Sequence, residues 1–345
     1  MFRPTRTRVR TRTFAALAAF AALGLATGCS SPSGADPAAL ARQTGAQPKP
    51  AAGSPFWIDP QSPAARQARA WERQGRGHDA RLLKRIADRP AALWPAGDRP
   101  EPRIREATGA AAGEGRTPVF VAYDIPHRDC GQHSAGGARD GDAYRDWIDR
   151  FARALGDSAA LVVLEPDAVA HIVDGCTPVE YHAQRERLLS EAIVRLKRQP
   201  NTKVYLDAGN PDWIREPDKL VEPLGRAGVA NADGFALNVS NFQTDAITKQ
   251  YGRRLSAALG GKHFVIDTSR NGNGPLGGDR SQAWCNPPGR ALGTPPTTDT
   301  GDPVVDAYLW IKRPGESDGQ CRGGPAAGQW WADYALGLAR NSKGH

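Results

Sequence analysis

Six short apolar runs in this sequence each lead directly into a charged or amide side chain. The clearest is Leu161–Leu164, four apolar residues without polar alternation, followed by Glu165, Pro166 and Asp167. An unbroken apolar run predicts a strand that is buried on both faces. Pro166 should end the strand, because proline cannot donate a hydrogen bond to a β-ladder. We therefore expect Asp167 just past the carboxyl end of a central strand.

The same arrangement recurs along the chain. The other runs and the polar residues that follow them are Val119–Tyr123 before Asp124 and Asp129, Lys203–Leu206 before Asp207, Gly234–Leu237 before Asn238, His263–Ile266 before Asp267, and Ala307–Ile311 before Lys312, Glu316 and Asp318. Any one of them has a local explanation, since Asp and Asn favour turns. Together they indicate parallel strands whose polar ends meet on one rim, where α/β folds display catalytic groups.

Helical patterns separate these runs. Ser62-Pro63 marks a helix start, with a capping hydroxyl and a proline in the first helical position. Other predicted helices cover residues 80–87, 144–155, 179–198, 218–228 and 244–259, and a last one carries Trp330, Trp331, Tyr334 and Leu336. The alternation of strands and helices predicts parallel βα units. No internal repeat or second linker is evident, so we expect an α/β fold in a single domain.

The amino-terminal part predicts export. Residues 1–28 combine a basic segment with an apolar segment, Phe14–Ala26, that is too short for a comfortable membrane span, as in a signal peptide. The segment Leu25–Cys29 resembles a bacterial lipoprotein cleavage site, in which Cys29 would carry the lipid. Ala26 stands where leucine is usual, so ordinary signal cleavage is an alternative. Residues 29–55, rich in Pro, Ala, Ser and Gly, predict a flexible tether before a domain over residues 56–345.

Charge and cysteine content narrow the function classes. The formal charge of +8 includes five leader arginines; without them 40 basic residues face 37 acidic ones, which argues against nucleic-acid or membrane-surface binding. Five cysteines leave one unpaired in an exported protein. If Cys29 carries lipid, the other four can form two disulfides in an oxidising compartment. A structural zinc site is disfavoured because no C-x₂-C pair occurs.

The chemistry-bearing residues on the predicted rim are mostly carboxylates, namely Asp129, Asp167, Asp207, Glu316 and Asp318. Such a set suits acid/base cleavage of a glycosidic bond, because a neighbouring carboxylate can keep one acid protonated. The same set could hold a divalent cation, but no EF-hand loop or HExxH motif is present, and G-x-S-x-G is absent as well. Trp94, Trp213 and Trp284 lie in or near loops, where they could stack on sugars or belong to the core.

Two segments carry a family resemblance. Tyr123–Cys130 resembles the first signature of glycoside hydrolase family 6, the cellulases, and Leu161–Asp167 resembles the second. Supporting segments follow in the same order at residues 205–209, 238–241, 266–274, 284–285 and 312–321. The resemblance covers the chain from Phe56 to its carboxyl terminus. It implies a distorted parallel (β/α) barrel with fewer than eight strands, and an inverting β-1,4-glucanase that uses no metal or other cofactor.

The resemblance also implies residue roles. Asp167 would be the general acid, Asp129 would raise its pKa, Asp318 would match the proposed base, and Tyr123 would crowd the sugar at the cleavage point. The implied substrate-binding residues are Trp94, Asp207, Trp213, Asn238, Trp284, Lys312 and Glu316. The implied disulfides are Cys130–Cys176 and Cys285–Cys321. Gln320 departs from the pattern by adding a residue between Gly319 and Cys321, which puts the role of Asp318 in question.

These observations predict an exported, monomeric endo-β-1,4-glucanase that acts on cellulose or another β-1,4-glucan. Long loop insertions enclose the substrate in exo-acting relatives, and this chain has no obvious spare length for two of them. The alternatives are an exo-acting cellobiohydrolase of the same family and a surface glucan-binding protein without catalysis. Asp167 together with Asp129 argues against the last.

Overall fold

The structure is a computed structural model that describes residues 54–278 and 282–342. The predicted signal peptide, Cys29 and all but the last two residues of the predicted tether lie outside the described residues. Those two residues already contact the domain, since the Pro55 carbonyl accepts a hydrogen bond from the Thr117 amide at 2.9 Å.

Within the described residues, six parallel strands form one sheet in chain order. They are β1 (Val119–Ala122), β2 (Ala160–Leu164), β3 (Thr202–Asp207), β4 (Gly234–Leu237), β5 (His263–Asp267) and β6 (Val305–Leu309). The sheet curls into a half-barrel surrounded by helices, which confirms the predicted distorted α/β barrel with fewer than eight strands. The last strand begins and ends two residues earlier than predicted, so Trp310 and Ile311 already belong to the rim.

The strands are buried on both faces, as their unbroken apolar runs predict. Phe120 and Ala122 of β1 face the helices, whereas Val119 and Val121 of the same strand face the barrel interior. The alternation is geometric rather than chemical, because successive side chains of a strand point to opposite faces. A strand in the middle of this fold therefore needs apolar residues at every position, because a polar residue on either face would be buried.

Helices cover the outside of the sheet. They are α1 (Pro63–Arg73), α2 (Gly77–Ala87), α3 (Glu101–Gly113), α4 (Gly141–Leu155), α5 (Ala170–Val173), α6 (Val179–Leu196), α7 (Asp218–Arg226), α8 (Asp245–Ala258) and α9 (Ala332–Asn341). The Ser62 hydroxyl accepts a hydrogen bond from the Ala65 amide and caps α1 as predicted. Helix α3 was not predicted. The prediction that Trp330 and Trp331 belong to the last helix is wrong, because α9 begins at Ala332 and Trp330 instead bridges to Glu316.

A short extended segment, Ala92–Leu93, connects the two edge strands of this sheet. The Leu93 amide donates to the Val119 carbonyl of β1 at 2.8 Å, and the Leu93 carbonyl accepts from the Val121 amide at 2.8 Å. On the other side, the Ala92 amide donates to the Trp310 carbonyl just past β6 at 2.9 Å. The pair therefore bridges β1 and β6 and brings the following residue, Trp94, to the rim.

None of the helices in residues 54–278 and 282–342 combines the length and the apolar character that crossing a membrane would require.

Candidate active site

Three buried carboxyl groups lie at the carboxyl ends of the strands and bind backbone amides of neighbouring loops. Glu165, directly after β2, is 0% exposed and accepts from the amides of Asp124 and Ile125, which follow β1, at 2.9 and 3.1 Å. Asp207, at the end of β3, is also 0% exposed and accepts from the Asp167 amide at 2.9 Å. Burial raises the pKa of Glu165 to about 7, although its amide partners oppose the shift.

Asp267 makes the largest set of these contacts at the end of β5. One carboxylate oxygen accepts from the Ser269 amide at 2.9 Å and the Ile311 amide at 3.2 Å. The other accepts from the amides of Ser240 and Lys312, each at 2.9 Å. One side chain thus joins the loops after β4, β5 and β6. The sequence correctly predicted acids at these strand ends. It did not predict that Glu165 and Asp267 accept hydrogen bonds from backbone amides of the loops.

Asp167 and Asp129 come together at the rim. A carboxylate oxygen of each, together with one ring nitrogen of His171, lie within 4.8 Å of one another. Both aspartates have positive φ, 71° for Asp167 and 53° for Asp129, a backbone conformation that is uncommon outside glycine and collects at functional sites. Burial raises the pKa of Asp167 to about 6; the nearby His171 opposes this shift and the Asp129 charge adds to it.

The loop that carries Asp129 is held from several directions. The Asp129 carboxylate accepts from the Ser134 amide at 2.6 Å, and the next residue forms the disulfide Cys130–Cys176. The Arg128 guanidinium lies 4.8 Å from the centre of the Tyr123 ring and donates to the Tyr123 carbonyl at 2.7 Å. Burial raises the pKa of the Tyr123 hydroxyl, with the charges of Asp167 and Asp129 adding to the shift. The tyrosine is therefore a neutral group beside the carboxylate pair.

Asp318 lies in a different electrostatic environment. Its carboxylate contacts the fully buried Arg270 guanidinium at 2.8 Å and the Lys312 ammonium at 3.3 Å, and it accepts from the Asn286 amide at 3.0 Å. Burial alone would raise the pKa of Asp318, but the two cations outweigh it and hold the pKa below its usual range. The environment of Asp167 thus favours the protonated carboxyl group, whereas that of Asp318 favours the ionised carboxylate.

The loop around Asp318 is well anchored despite the additional residue Gln320. The second implied disulfide, Cys285–Cys321, is present. The Asn286 side-chain amide donates to the Gly319 carbonyl at 2.8 Å, and its oxygen accepts from the Asp318 amide at 2.8 Å. The additional residue therefore leaves Asp318 inside a closed hydrogen-bond network.

The three tryptophans that sequence reasoning singled out differ in their surroundings. The Trp94 indole donates to the Ile311 carbonyl at 2.9 Å, and its ring meets the Tyr123 ring edge-on at 5.5 Å. The Trp213 indole donates to Asp174 at 2.9 Å. Trp284 is the most open, with 36% of its surface exposed. All three are at least partly exposed.

Glu316 borders a cavity of about 560 Å³ that Arg66, Gln67, Arg313 and Trp330 also line. Glu316 forms an ion pair with Arg313 at 2.8 Å. Burial raises the pKa of Glu316, and the charges of Arg313, Lys312 and Arg270 only partly offset this shift. The cavity is therefore lined by charged and amide side chains together with one aromatic ring, a combination that suits a sugar.

The family resemblance implied that Asp207 and Asn238 bind substrate, and in the structure both side chains bind backbone groups of the rim. Both are 0% exposed. The Asn238 side-chain amide donates to the carbonyls of Gln243 and Asp267 at 3.1 and 2.9 Å, and its oxygen accepts from the Gln243 amide at 3.1 Å. One Asp207 oxygen accepts from the amides of Asp167 and Gly209 at 2.9 and 3.0 Å, whereas its other oxygen has no hydrogen-bond partner among the described residues. Both side chains thus help to hold the rim in shape, and substrate binding by them stays a prediction.

With the fold and the carboxylate geometry in place, comparison with known proteins gives the class. The model of glycosyl hydrolases family 6 matches residues 51–342, and the chain belongs to this family.

Individual relatives agree with this assignment. The chain is 43% identical to Endoglucanase A of Cellulomonas fimi over 300 residues, 86% of this chain and 63% of the relative, so it spans less than two thirds of that protein. It is 43% identical to Endoglucanase 1 of Streptomyces halstedii over 293 residues, 81% of this chain and 87% of the relative. The structure of the endoglucanase Cel6 from Mycobacterium tuberculosis, in complex with a methyl-cellobiosyl thio-cellobioside, superposes with a TM-score of 0.77 at 44% identity, covering 85% of this chain and 98% of that one.

Proposed function

We propose that the protein hydrolyses internal β-1,4-glucosidic bonds of cellulose or a related β-glucan, with inversion at the anomeric carbon. The observation that carries the proposal is that the pKa values of Asp167 and Asp318 are shifted in opposite directions. The pKa of Asp167 is raised to about 6 by burial, whereas two cations hold that of Asp318 below its ordinary range. Carboxyl groups whose environments drive their pKa values apart mark the acid and the base of such sites. The family and the endoglucanase names of its relatives support the substrate class.

The reaction assigns a task to each carboxyl group. Asp167 in its protonated form donates to the leaving glycosidic oxygen, while a water attacks the opposite face of the sugar ring. Asp129 lies within 4.8 Å of Asp167 and disfavours its ionised form. Asp318, held ionised by Arg270 and Lys312, is suited to accept the proton of the attacking water.

Aromatic and polar groups on the rim would orient the glucan. Tyr123 lies beside both carboxylates and is available to pack against the sugar at the cleavage point. Trp94, Trp213 and Trp284 offer faces for stacking, and Lys312 and Glu316 offer polar contacts along the rim. Asp207 supports the site indirectly, because it fixes the backbone amide of Asp167 at 2.9 Å.

The endo mode is preferred over the exo mode because of the length of the segments that follow the strands. The segments after β2 and β3 reach the next helix within 5 and 10 residues, too few for a long insertion that could roof the cleft, whereas 18 residues lie between β1 and α4. A cellobiohydrolase is the alternative within the family. A glucan-binding protein without catalysis is the alternative outside it, and the raised pKa of Asp167 argues against a binding role alone.

We also propose that the protein is exported and acts as a monomer, held at a membrane by lipid on Cys29 or freely secreted. The two disulfides support an oxidising compartment.

The decisive experiment replaces the acid and follows the product. Asp167→Asn should lower kcat on soluble cellulose by at least about a hundredfold, since general acid catalysis supplies about 10²–10⁴ in rate. Binding of cello-oligosaccharides should persist, and the loss should shrink on activated aryl glycosides, whose leaving groups need little protonation. Asp157→Asn, which changes an exposed carboxylate, serves as the control.

Stereochemistry tests the mechanism independently. The first product of the unmodified protein should be the α-anomer, observed by NMR before mutarotation. A β-anomer would exclude inversion, and near-normal cellulose hydrolysis by Asp167→Asn would remove Asp167 from the role of acid.

A further inference from the structure

His171 is a buried histidine without satisfied ring nitrogens. Only 5% of its surface is exposed, and neither ring nitrogen has a hydrogen-bond partner among the described residues. The nearest carboxylate to Nδ1 is that of Asp174, at 3.6 Å, beyond ordinary hydrogen-bond length. Buried polar atoms are nearly always paired, so the Nε2 atom of this ring is left with a free donor or acceptor, while Nδ1 has the Asp174 carboxylate nearby.

His171 lies beside the carboxylate pair at the rim. One ring nitrogen of His171 and one oxygen from each of Asp129 and Asp167 lie within 4.8 Å of one another. An imidazole nitrogen with two carboxylate oxygens is a donor set that Zn²⁺ and similar transition cations accept, with three protein ligands and one position left open. We propose that Asp129, Asp167 and His171 form a binding site for a divalent transition cation of the Zn²⁺ type.

The three ligands come from parts of the chain that are already held in place. Asp129 precedes the Cys130–Cys176 disulfide, and the Asp167 amide is bound by Asp207. His171 follows Asp167 by one helical turn, and its amide donates to the Asp167 carbonyl at 2.9 Å. Zinc ligands stand about 2.0–2.2 Å from the metal, so the donors must draw together from their present spacing. Asp129 and Asp167 are half-buried rather than enclosed on all sides.

The surroundings of the histidine match those of known metal ligands. A ligating histidine usually directs its other nitrogen at a carboxylate, and the Asp174 carboxylate faces Nδ1. Asp174 is itself fixed by the Trp213 indole at 2.9 Å and the Cys176 amide at 2.8 Å. The disulfide sulfurs also lie close to the ring, but bonded sulfurs are not thiolates and do not serve as zinc ligands.

This site goes beyond the proposed hydrolysis and assigns the cation no part in it. A cation bound to the Asp167 carboxylate would occupy the oxygen that must carry the proton. The expected effect is therefore inhibition: zinc and a productively bound glucan should exclude each other.

Calorimetric titration of the purified full-length protein with ZnCl₂ tests the site without reference to activity. We expect one equivalent to bind, and His171→Leu to weaken binding by at least about tenfold, because even supporting partners of a metal site are worth 10–100-fold. His78→Leu, which removes an exposed histidine from α2, should bind like the unmodified protein. MgCl₂ should not compete, since a nitrogen ligand favours transition metals over magnesium.

Each outcome decides the proposal. If His171→Leu fails to fold by circular dichroism, Asp129→Asn provides the second variant and should show the same weakening. Absence of zinc binding up to about 1 mM, which corresponds to a binding free energy of only about −4 kcal/mol, overturns the site. Binding that is equally tight in both ligand variants also overturns it. Because the readout is heat of binding, a negative result remains separate from any failure of the proposed hydrolysis.

Discussion

The buried ion pair between Arg270 and Asp318 allows a quantitative test of the site. The two groups meet at 2.8 Å with side-chain exposures of 0% and 6%, so solvent screens them little. Arg270→Met removes the cation while keeping much of the volume and leaves Asp318 buried with a reduced set of partners. We choose methionine because the Arg270 guanidinium also lies over the Phe242 ring at 4.4 Å, a contact that an unbranched apolar side chain can partly replace.

The expected cost follows from the contacts that are lost and kept. Removing one partner of a buried pair costs about 3–5 kcal/mol. Asp318 keeps Lys312 at 3.3 Å and the Asn286 amide at 3.0 Å, which places the loss near the lower end, about 3 kcal/mol. The Ser240 carbonyl also loses its bond from Arg270, at 2.6 Å, which adds about 1 kcal/mol or more. We therefore expect a total of about 4 kcal/mol, a large share of the 5–15 kcal/mol of a typical domain.

Urea unfolding at neutral pH measures this loss, with Arg105→Met on the exposed side of α3 as the control. The pKa of Asp318 is depressed in the folded state, so the pair contributes stability that is present above the unfolded pKa of about 3.9 and is lost as the pH falls through the folded value. Arg270→Met should raise the pKa of Asp318, and the difference from the unmodified protein should therefore shrink at acidic pH.

The same substitution reports on catalysis. If ionised Asp318 accepts the proton, activity falls as the pH drops through its pKa, and Arg270→Met should move this acidic limb to higher pH. The reasoning is refuted if the variant loses less than about 1 kcal/mol, a value typical of a surface pair. An unfolding difference that stays constant between neutral and acidic pH would also contradict it.

The remaining predictions concern chain cleavage, disulfides and anchoring. The viscosity of carboxymethylcellulose should fall before much reducing sugar appears; steady cellobiose release at constant viscosity would indicate the exo mode. Replacing both cysteines of Cys130–Cys176 or of Cys285–Cys321 by serine should cost about 4 kcal/mol in urea unfolding, from the entropy of loops of 46 and 36 residues; no change would mean that the bonds do not form in the protein. Cys29→Ala should release the protein from membranes with activity retained; an unmodified protein that already fractionates as soluble would contradict lipidation.

The strand ends could be predicted from the sequence because their signal is local. An apolar run buried on both faces allows no polar residue, so the first polar residue marks the rim, as at Leu164–Glu165 and Leu237–Asn238. The same logic could not separate acids that face a ligand from acids that face the backbone. Asp207 and Asp167 follow similar runs, yet Asp207 is fully buried while Asp167 is not. That difference depends on which loop amides lie near each carboxyl group. The positions of loops cannot be predicted from the periodicity of apolar residues.

Other features were missed because they depend on contacts between distant residues. Arg270 pairs with an aspartate 48 residues away, and the Trp94 indole donates to a carbonyl 217 residues away. His171 had a readable signal, since its place four residues after Asp167 puts it one helical turn beyond the acid. Helix α3 was missed because its apolar positions are mostly alanines, which define no strong face.

The bridge formed by Ala92–Leu93 has a consequence for the order of folding. Its bonds to β1 join Leu93 to residues 26 and 28 positions later, but the bond from Ala92 to Trp310 needs the last strand of the sheet. In a chain made from its amino terminus, one of the first ordered segments must therefore wait for nearly all of the rest before it is fixed on both sides. Contacts of such long sequence separation form slowly, because the intervening loop must close first. The wall of the cleft that carries Trp94 is thus set by the final step of assembly, and a molecule stalled before that step would hold a nearly complete sheet without a finished site.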